Sequence, residues 1–273
     1  MTTATLLPTI YFSLLPVIVV AMIFGPRFTR VRPDGLDQSP KGRWAPLDTG
    51  LTLVLILIAG AGYWVEAGPE KPTSQVEIKP HHLIAGMAIQ AQLVTLLWLY
   101  FKVIRNVPFN ARLWLGRPQV THWIRYGVIT LLVTMVAMHF ASWLVQWWLS
   151  THSGDSDQML VQAFQANTGH TFRILVILAA GVVSPIYEEM IYRGIIHGVM
   201  RERTGQVFAT LASSAVFALA HQTLIAGLPL FILAAGLSIA YERTRSLAVP
   251  ILMHSLFNLW NLACMVVATT SAS

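Results

Sequence analysis

The sequence predicts an all-α fold, a polytopic membrane helix bundle of about eight transmembrane helices. Three observations predict it. Of 273 residues, 55% are hydrophobic and only 11% charged, against about 25% charged in a soluble domain, and the mean hydropathy is +0.60. The apolar residues fall in near-continuous runs of around 20, the length that crosses a bilayer as a helix. Lys and Arg collect in alternate connections between those runs, as the positive-inside rule requires. No polar stretch is long enough to fold alone, which excludes a separate soluble domain. The net charge of +6 therefore reports topology rather than a nucleic-acid partner. Cys264 is the single cysteine, so neither an internal disulfide nor a cysteine-based metal site can form. It reads as a small buried apolar residue.

The first span covers residues 5–25. It lacks a basic leader and a small-residue cleavage site, and reads as a retained helix. A polar connection with Arg27, Arg30, Arg32, Lys41 and Arg43 leads to the second span, 50–67. Lys71, Lys79, Pro69, Pro72 and Pro80 mark the next connection, before the third span at 83–102. Arg105, Arg112 and Arg117 precede the fourth, 123–149, where Trp143, Trp147 and Trp148 form an interfacial belt. The connection 150–170 holds Asp155 and Asp157 and neither Lys nor Arg. The fifth span starts near Thr171 and extends as far as Arg203; the sixth covers 207–225. Gly227 and Pro229 read as a tight turn, followed by the seventh span at 230–241 and the eighth at 248–267. The odd-numbered connections carry most of the Lys and Arg, which puts them in the cytoplasm and both termini outside. Residues 1–170 form an N-terminal four-helix membrane region, and 171–270 a core that holds the chemistry.

Within that core, Glu188 and Glu189 end a run from Ile174 to Pro185 that contains no charge. A carboxylate pair there is costly in a bilayer, so its default reading is functional. Arg193 lies four residues after Glu189 and can pair with it on a helix. Glu188 points about 100° away and is left for chemistry. The sixth span offers Phe217 and His221 in FALAH, and the eighth His254 and Asn258 in HSLFN, each at i,i+4 and so on one helix face. A lone His or Asn in a membrane helix is more often an interhelical hydrogen bond. That blander reading suits His139 and His197, which have no polar company. His81, His82, His122, His152 and His170 lie at span ends or in connections, where water solvates them. What favours chemistry for the others is their conjunction in the last four helices.

EEMIYR resembles the EExxxR motif of the CPBP intramembrane proteases, the CAAX-protease and bacteriocin-processing (Abi) family. FALAH resembles its FxxxH motif and HSLFN its HxxxN motif, in the same order. The resemblance covers residues 174–262, about a third of the chain, and the first four spans carry no signature of it. It implies an intramembrane endopeptidase acting on a membrane-anchored or prenylated CAAX-type substrate in a bacterial inner membrane. By the same resemblance Glu188 is the base that activates water and His221 shares that task. His254 and Asn258 stabilise the oxyanion, while Glu189, Arg193 and Phe217 support. Two His and a Glu (Glu188, His221, His254) are the candidates for a zinc site. Without HExxH, however, no helix presents two His ligands together, and no cofactor is expected.

Two other functions stay open. A non-proteolytic adaptor or bacteriocin-immunity-type protein would keep the same polar core for packing. A proton-coupled transporter would use the Glu pair, although no inverted repeat is visible. Helix rise also leaves a mismatch. Glu188 and His221 each lie about 22 Å along their helices from the inner connection, and His254 only about 10 Å. Tilt, or a seventh connection lying inside the membrane, must close it.

Overall fold

The computed structural model describes residues 14, 17–18, 46–66, 78–106, 120–150, 169–221 and 224–271. Among them every regular element is a helix. We label these α1 (Pro46–Glu66), α2 (Pro80–Ile104), α3 (Val120–Ser150), α4 (His170–Thr204), α5 (Gln206–Ala220), α6 (Leu224–Thr244) and α7 (Ala248–Ser271). The expected first span lies outside the described residues apart from three positions, and so does the basic connection after it. Helices α2, α3, α4, α6 and α7 are long and apolar enough to cross a membrane, while Pro46–Gly60 and Gln206–Ala220 are shorter apolar helices. Large apolar side chains such as Val136, Trp147 and Val207 face outward. Lipid solvates them as well as a core would. The chain is thus an integral, multi-pass membrane protein built as an all-α bundle.

Two compact units make up the chain. The first comprises 1–71, 135–147 and 191–238; the second comprises 72–134, 148–190 and 239–273. In the second, Leu83 of α2, Phe172 and Val176 of α4, and Leu262 of α7 form a buried apolar cluster. Helix α7 comes close to α4 at Gly181, where a Cβ would lie 2.6 Å from Leu259 Cδ2. It also approaches α3 at Gly127, where a Cβ would lie 3.0 Å from Val249 Cγ1. In the first unit, Tyr192 and Phe217 meet edge to face with centroids 5.0 Å apart. Gly205 ends α4 and starts α5 at φ 86°, a backbone state that glycine adopts without a Cβ penalty.

Helix α4 is one 35-residue run, as the sequence suggests, but it is not uniform. Two π-helical stretches, Ala179–Val183 and Met190–His197, flank the α-helical turn Ser184–Glu189. Three expectations need correction. The tight turn at Gly227 and Pro229 is absent, because α6 starts at Leu224 and carries Pro229 inside it. That position is early enough in the helix for the missing N–H to cost one bond near an end, and membrane helices tolerate such breaks. Cys264 is exposed rather than buried, since a lipid-facing wall needs apolar residues as much as a core does. His139 turns back on its own helix, with Nδ1 2.7 Å from the Met135 carbonyl, instead of bridging to a neighbour. His197 does bridge, to Thr210 Oγ1 at 3.4 Å.

The reversal from α6 to α7 takes three residues, 245–247; Ser246 and Leu247 are buried, at 0% and 1% exposure, and Arg245 is exposed. Arg245 adopts φ 54°, uncommon for a residue with a side chain. Its N–H bonds the Tyr241 carbonyl at 2.7 Å and its guanidinium pairs with Glu242 at 3.1 Å. The Ala248 N–H donates to Ser246 Oγ at 3.2 Å and caps the start of α7.

Candidate active site

The short α-helical turn Ser184–Glu189 carries both carboxylates. Glu189 is fully buried, and its Oε1 lies 2.9 Å from His254 Nδ1. The contact fixes the ring's orientation, and with Glu189 ionised the proton sits on Nδ1, because a carboxylate only accepts. Nε2 then carries the ring's lone pair. Four residues along α7 from His254, Asn258 Nδ2 donates to the Ala180 carbonyl at 2.7 Å. His254 and Asn258 therefore do share one face of α7, and in the second unit that face meets α4. His254 nonetheless reaches Glu189, which helix rise alone would set at a different depth.

Glu188 is half-buried, and its Oε2 is closed off from solvent without a hydrogen-bond partner. Such an oxygen keeps its full desolvation cost, which a reacting water or substrate N–H would relieve. One turn before it, Ser184 Oγ and the Gln90 side-chain amide of α2 bond each other, at 2.9 Å from Nε2 and 3.3 Å to Oε1. Sequence reading passed over this pair. The signal was available, since Gln90 is a polar residue in the middle of an apolar span.

The other motif residues belong to the first unit. Arg193 is buried; its guanidinium donates to the Ala234 carbonyl at 2.9 Å and lies 4.9 Å from the Phe217 ring centroid. That cation–π contact gives Phe217 a reason to be aromatic. His221 sits just past the end of α5, half-buried, with Nδ1 2.8 Å from the Phe217 carbonyl and its ring 4.6 Å from the Phe217 ring. A carbonyl only accepts, so Nδ1 carries the proton and Nε2 the lone pair. Phe217 and His221 thus act on each other through backbone and ring, as their spacing suggested. Among the described residues no three His, Cys, Asp or Glu side chains gather as metal ligands do.

Residues 170–260 match the family model described as type II CAAX prenyl endopeptidase Rce1-like. The chain is also 37% identical over 84 residues to "Putative membrane peptidase YdiL" of Bacillus subtilis (strain 168). That match covers 31% of this chain and 34% of the relative, so it spans about a third of each. No solved structure matches the chain at a significant level. The matched residues run from the start of α4 into α7 and contain all three motifs. Over residues 170–260 this multi-pass membrane protein is therefore similar to the Rce1-like membrane endopeptidases, which supports the resemblance to the CPBP family.

Proposed function

We propose that the protein is an intramembrane endopeptidase that hydrolyses a peptide bond of a membrane-associated substrate, with Glu188 as the base that activates water. The observation that carries this reading is the Glu188 carboxylate oxygen, sealed from solvent and without a partner, one residue from the Glu189–His254 pair. In the proposed cycle Glu188 takes a proton from water as the water oxygen attacks the scissile carbonyl. The carbonyl becomes a tetrahedral oxyanion. The C–N bond then breaks, and the leaving nitrogen takes the proton from Glu188. The resemblance gives His221 a share in the proton transfer, and its Nε2 lone pair suits that role. His254, held through Nδ1 by Glu189, acts at the oxyanion through Nε2, which donates when the ring is protonated. No step needs a metal. A prenylated CAAX-type substrate is suggested by the family description of residues 170–260.

The test is cleavage of a fluorogenic farnesylated CAAX peptide by purified protein in detergent, with Glu188→Ala beside the wild type and with and without a zinc chelator. Cleavage that is lost with Glu188→Ala and unaffected by the chelator is the expected result. Full activity of folded Glu188→Ala removes Glu188 from the mechanism, and chelator-sensitive activity removes the metal-free cycle.

A second reading, a non-proteolytic adaptor or immunity-type protein, is favoured by one observation: Glu189, His254 and Asn258 all make hydrogen bonds between helices. It expects Glu188→Ala to leave the biological function intact.

A further inference from the structure

The Asn258 amide gives one of its two N–H donors to a backbone carbonyl, and the sequence explains why that carbonyl needs it. In the π-helical stretch Ala179–Val183 the Ser184 N–H bonds the Ala179 carbonyl, five residues back. The next donor in that register would be residue 185, bonding the Ala180 carbonyl. Residue 185 is a buried proline and has no N–H. The N–H that an α-helical register would bring to Ala180, that of Ser184, is already used on Ala179. Ala180 is thus left with an orphaned carbonyl inside an apolar bundle, where an unmet backbone group is most costly. Asn258 Nδ2 meets it at 2.7 Å. Gly181 eases the approach, because a Cβ there would lie 2.6 Å from Cδ2 of Leu259, the neighbour of Asn258.

We propose that Asn258 is a positioning residue whose side-chain amide replaces the N–H that Pro185 lacks, and so holds the offset in α4 that aims Glu188 and Glu189. A π-helical stretch shifts the phase of everything after it relative to a straight α-helix. The carboxylates follow that shift by five and six residues. Helix α7 holds α4 on both sides of it: Asn258 binds Ala180 before the turn Ser184–Glu189, and His254 binds Glu189 at its end. The aim of the carboxylates matters only if the peptidase reading holds; the replacement of a missing backbone donor does not depend on it.

The test is a double-mutant cycle in detergent: wild type, Asn258→Leu, Pro185→Ala and the two together. Asn258→Leu keeps the side chain's size and removes the donor, while Pro185→Ala restores a backbone N–H. Melting temperature is the first readout. Asn258→Leu is expected to lower it by about 5 °C in the wild-type background and by less than half of that with Pro185→Ala. Equal losses in both backgrounds overturn the proposal. If Asn258→Leu alone does not fold, a folded double variant supports it and an unfolded one overturns it. Farnesylated-peptide cleavage is the second readout. A positioning role predicts that kcat falls in Asn258→Leu with KM little changed, and returns with Pro185→Ala. A loss of kcat that Pro185→Ala does not restore makes Asn258 a direct oxyanion donor and overturns the positioning role. If the wild type cleaves nothing, the peptidase reading fails, and the melting temperatures still decide the hydrogen-bond claim.

Discussion

Two carboxylates side by side in the sequence live in different conditions. Glu189 is buried against His254, and Glu188 keeps an oxygen with no hydrogen bond. Removing the carboxylate should therefore act oppositely on stability at each. Glu189→Ala leaves a buried imidazole without its carboxylate, which costs about 3 kcal/mol and should lower the melting temperature by about 5–10 °C. Glu188→Gln replaces a desolvated charge by a neutral amide. It should abolish peptide cleavage while keeping or raising the melting temperature, the usual stability–activity trade at a site. A thermal scan of both variants beside a cleavage assay checks the pair. The Gln90–Ser184 bond sets a scale between them. Interhelical hydrogen bonds in membranes average about 0.6 kcal/mol, so Gln90→Leu should shift the melting temperature by only about 1–2 °C.

At the level of helices, hydropathy located the spans that fall on described residues to within about six residues, while the first lies outside them; the EExxxR and HxxxN motifs lie in α4 and α7, and FxxxH runs one residue past the end of α5. What it missed has physical causes. A π-helical stretch has the same apolar composition as the α-helix around it, so nothing in AAGVV announces one except the proline that follows. Pro229 read as a turn because helix-breaking rules come from water, whereas the bilayer forces the backbone to keep its hydrogen bonds internal. His254 pairs with Glu189 across 65 residues of sequence, a distance that no local periodicity reports. Gly205 offers a test at this level. Its φ of 86° makes Gly205→Ala cost about 1–2 kcal/mol, seen as earlier thermal unfolding, and the same change at Gly50, where a Cβ meets nothing within 4 Å, should not.

For the molecule as a whole, the outer surface is as informative as the interior. Exposed Ile, Leu, Val and Trp side chains run along α2, α3 and α7, and Cys264 belongs to that surface. A nitroxide attached at Cys264 in lipid nanodiscs should be relaxed more by oxygen, which dissolves in lipid, than by a water-soluble nickel complex. The reverse would place that face of α7 against water. The sequence could show that such a surface exists but not which residues share it, because apolar side chains fill both faces of each helix and the periodicity that separates inside from outside in a soluble protein is lost.

The three-residue reversal between α6 and α7 also bears on how topology would be mapped by experiment. By the positive-inside rule, Arg243 and Arg245 would make it a cytoplasmic connection. Yet Ser246 and Leu247 are inaccessible, and the backbone is held by Glu242 and by the cap on α7. Cysteine-scanning reagents would find positions 246 and 247 silent on account of protein burial alone, and the silence would say nothing about membrane depth. An epitope tag placed there would turn α7 by about 100° for each added residue and carry His254 away from Glu189. Reporter fusions at this reversal would record the damage they cause, so the sidedness of the chain is better read from connections that make no such contacts.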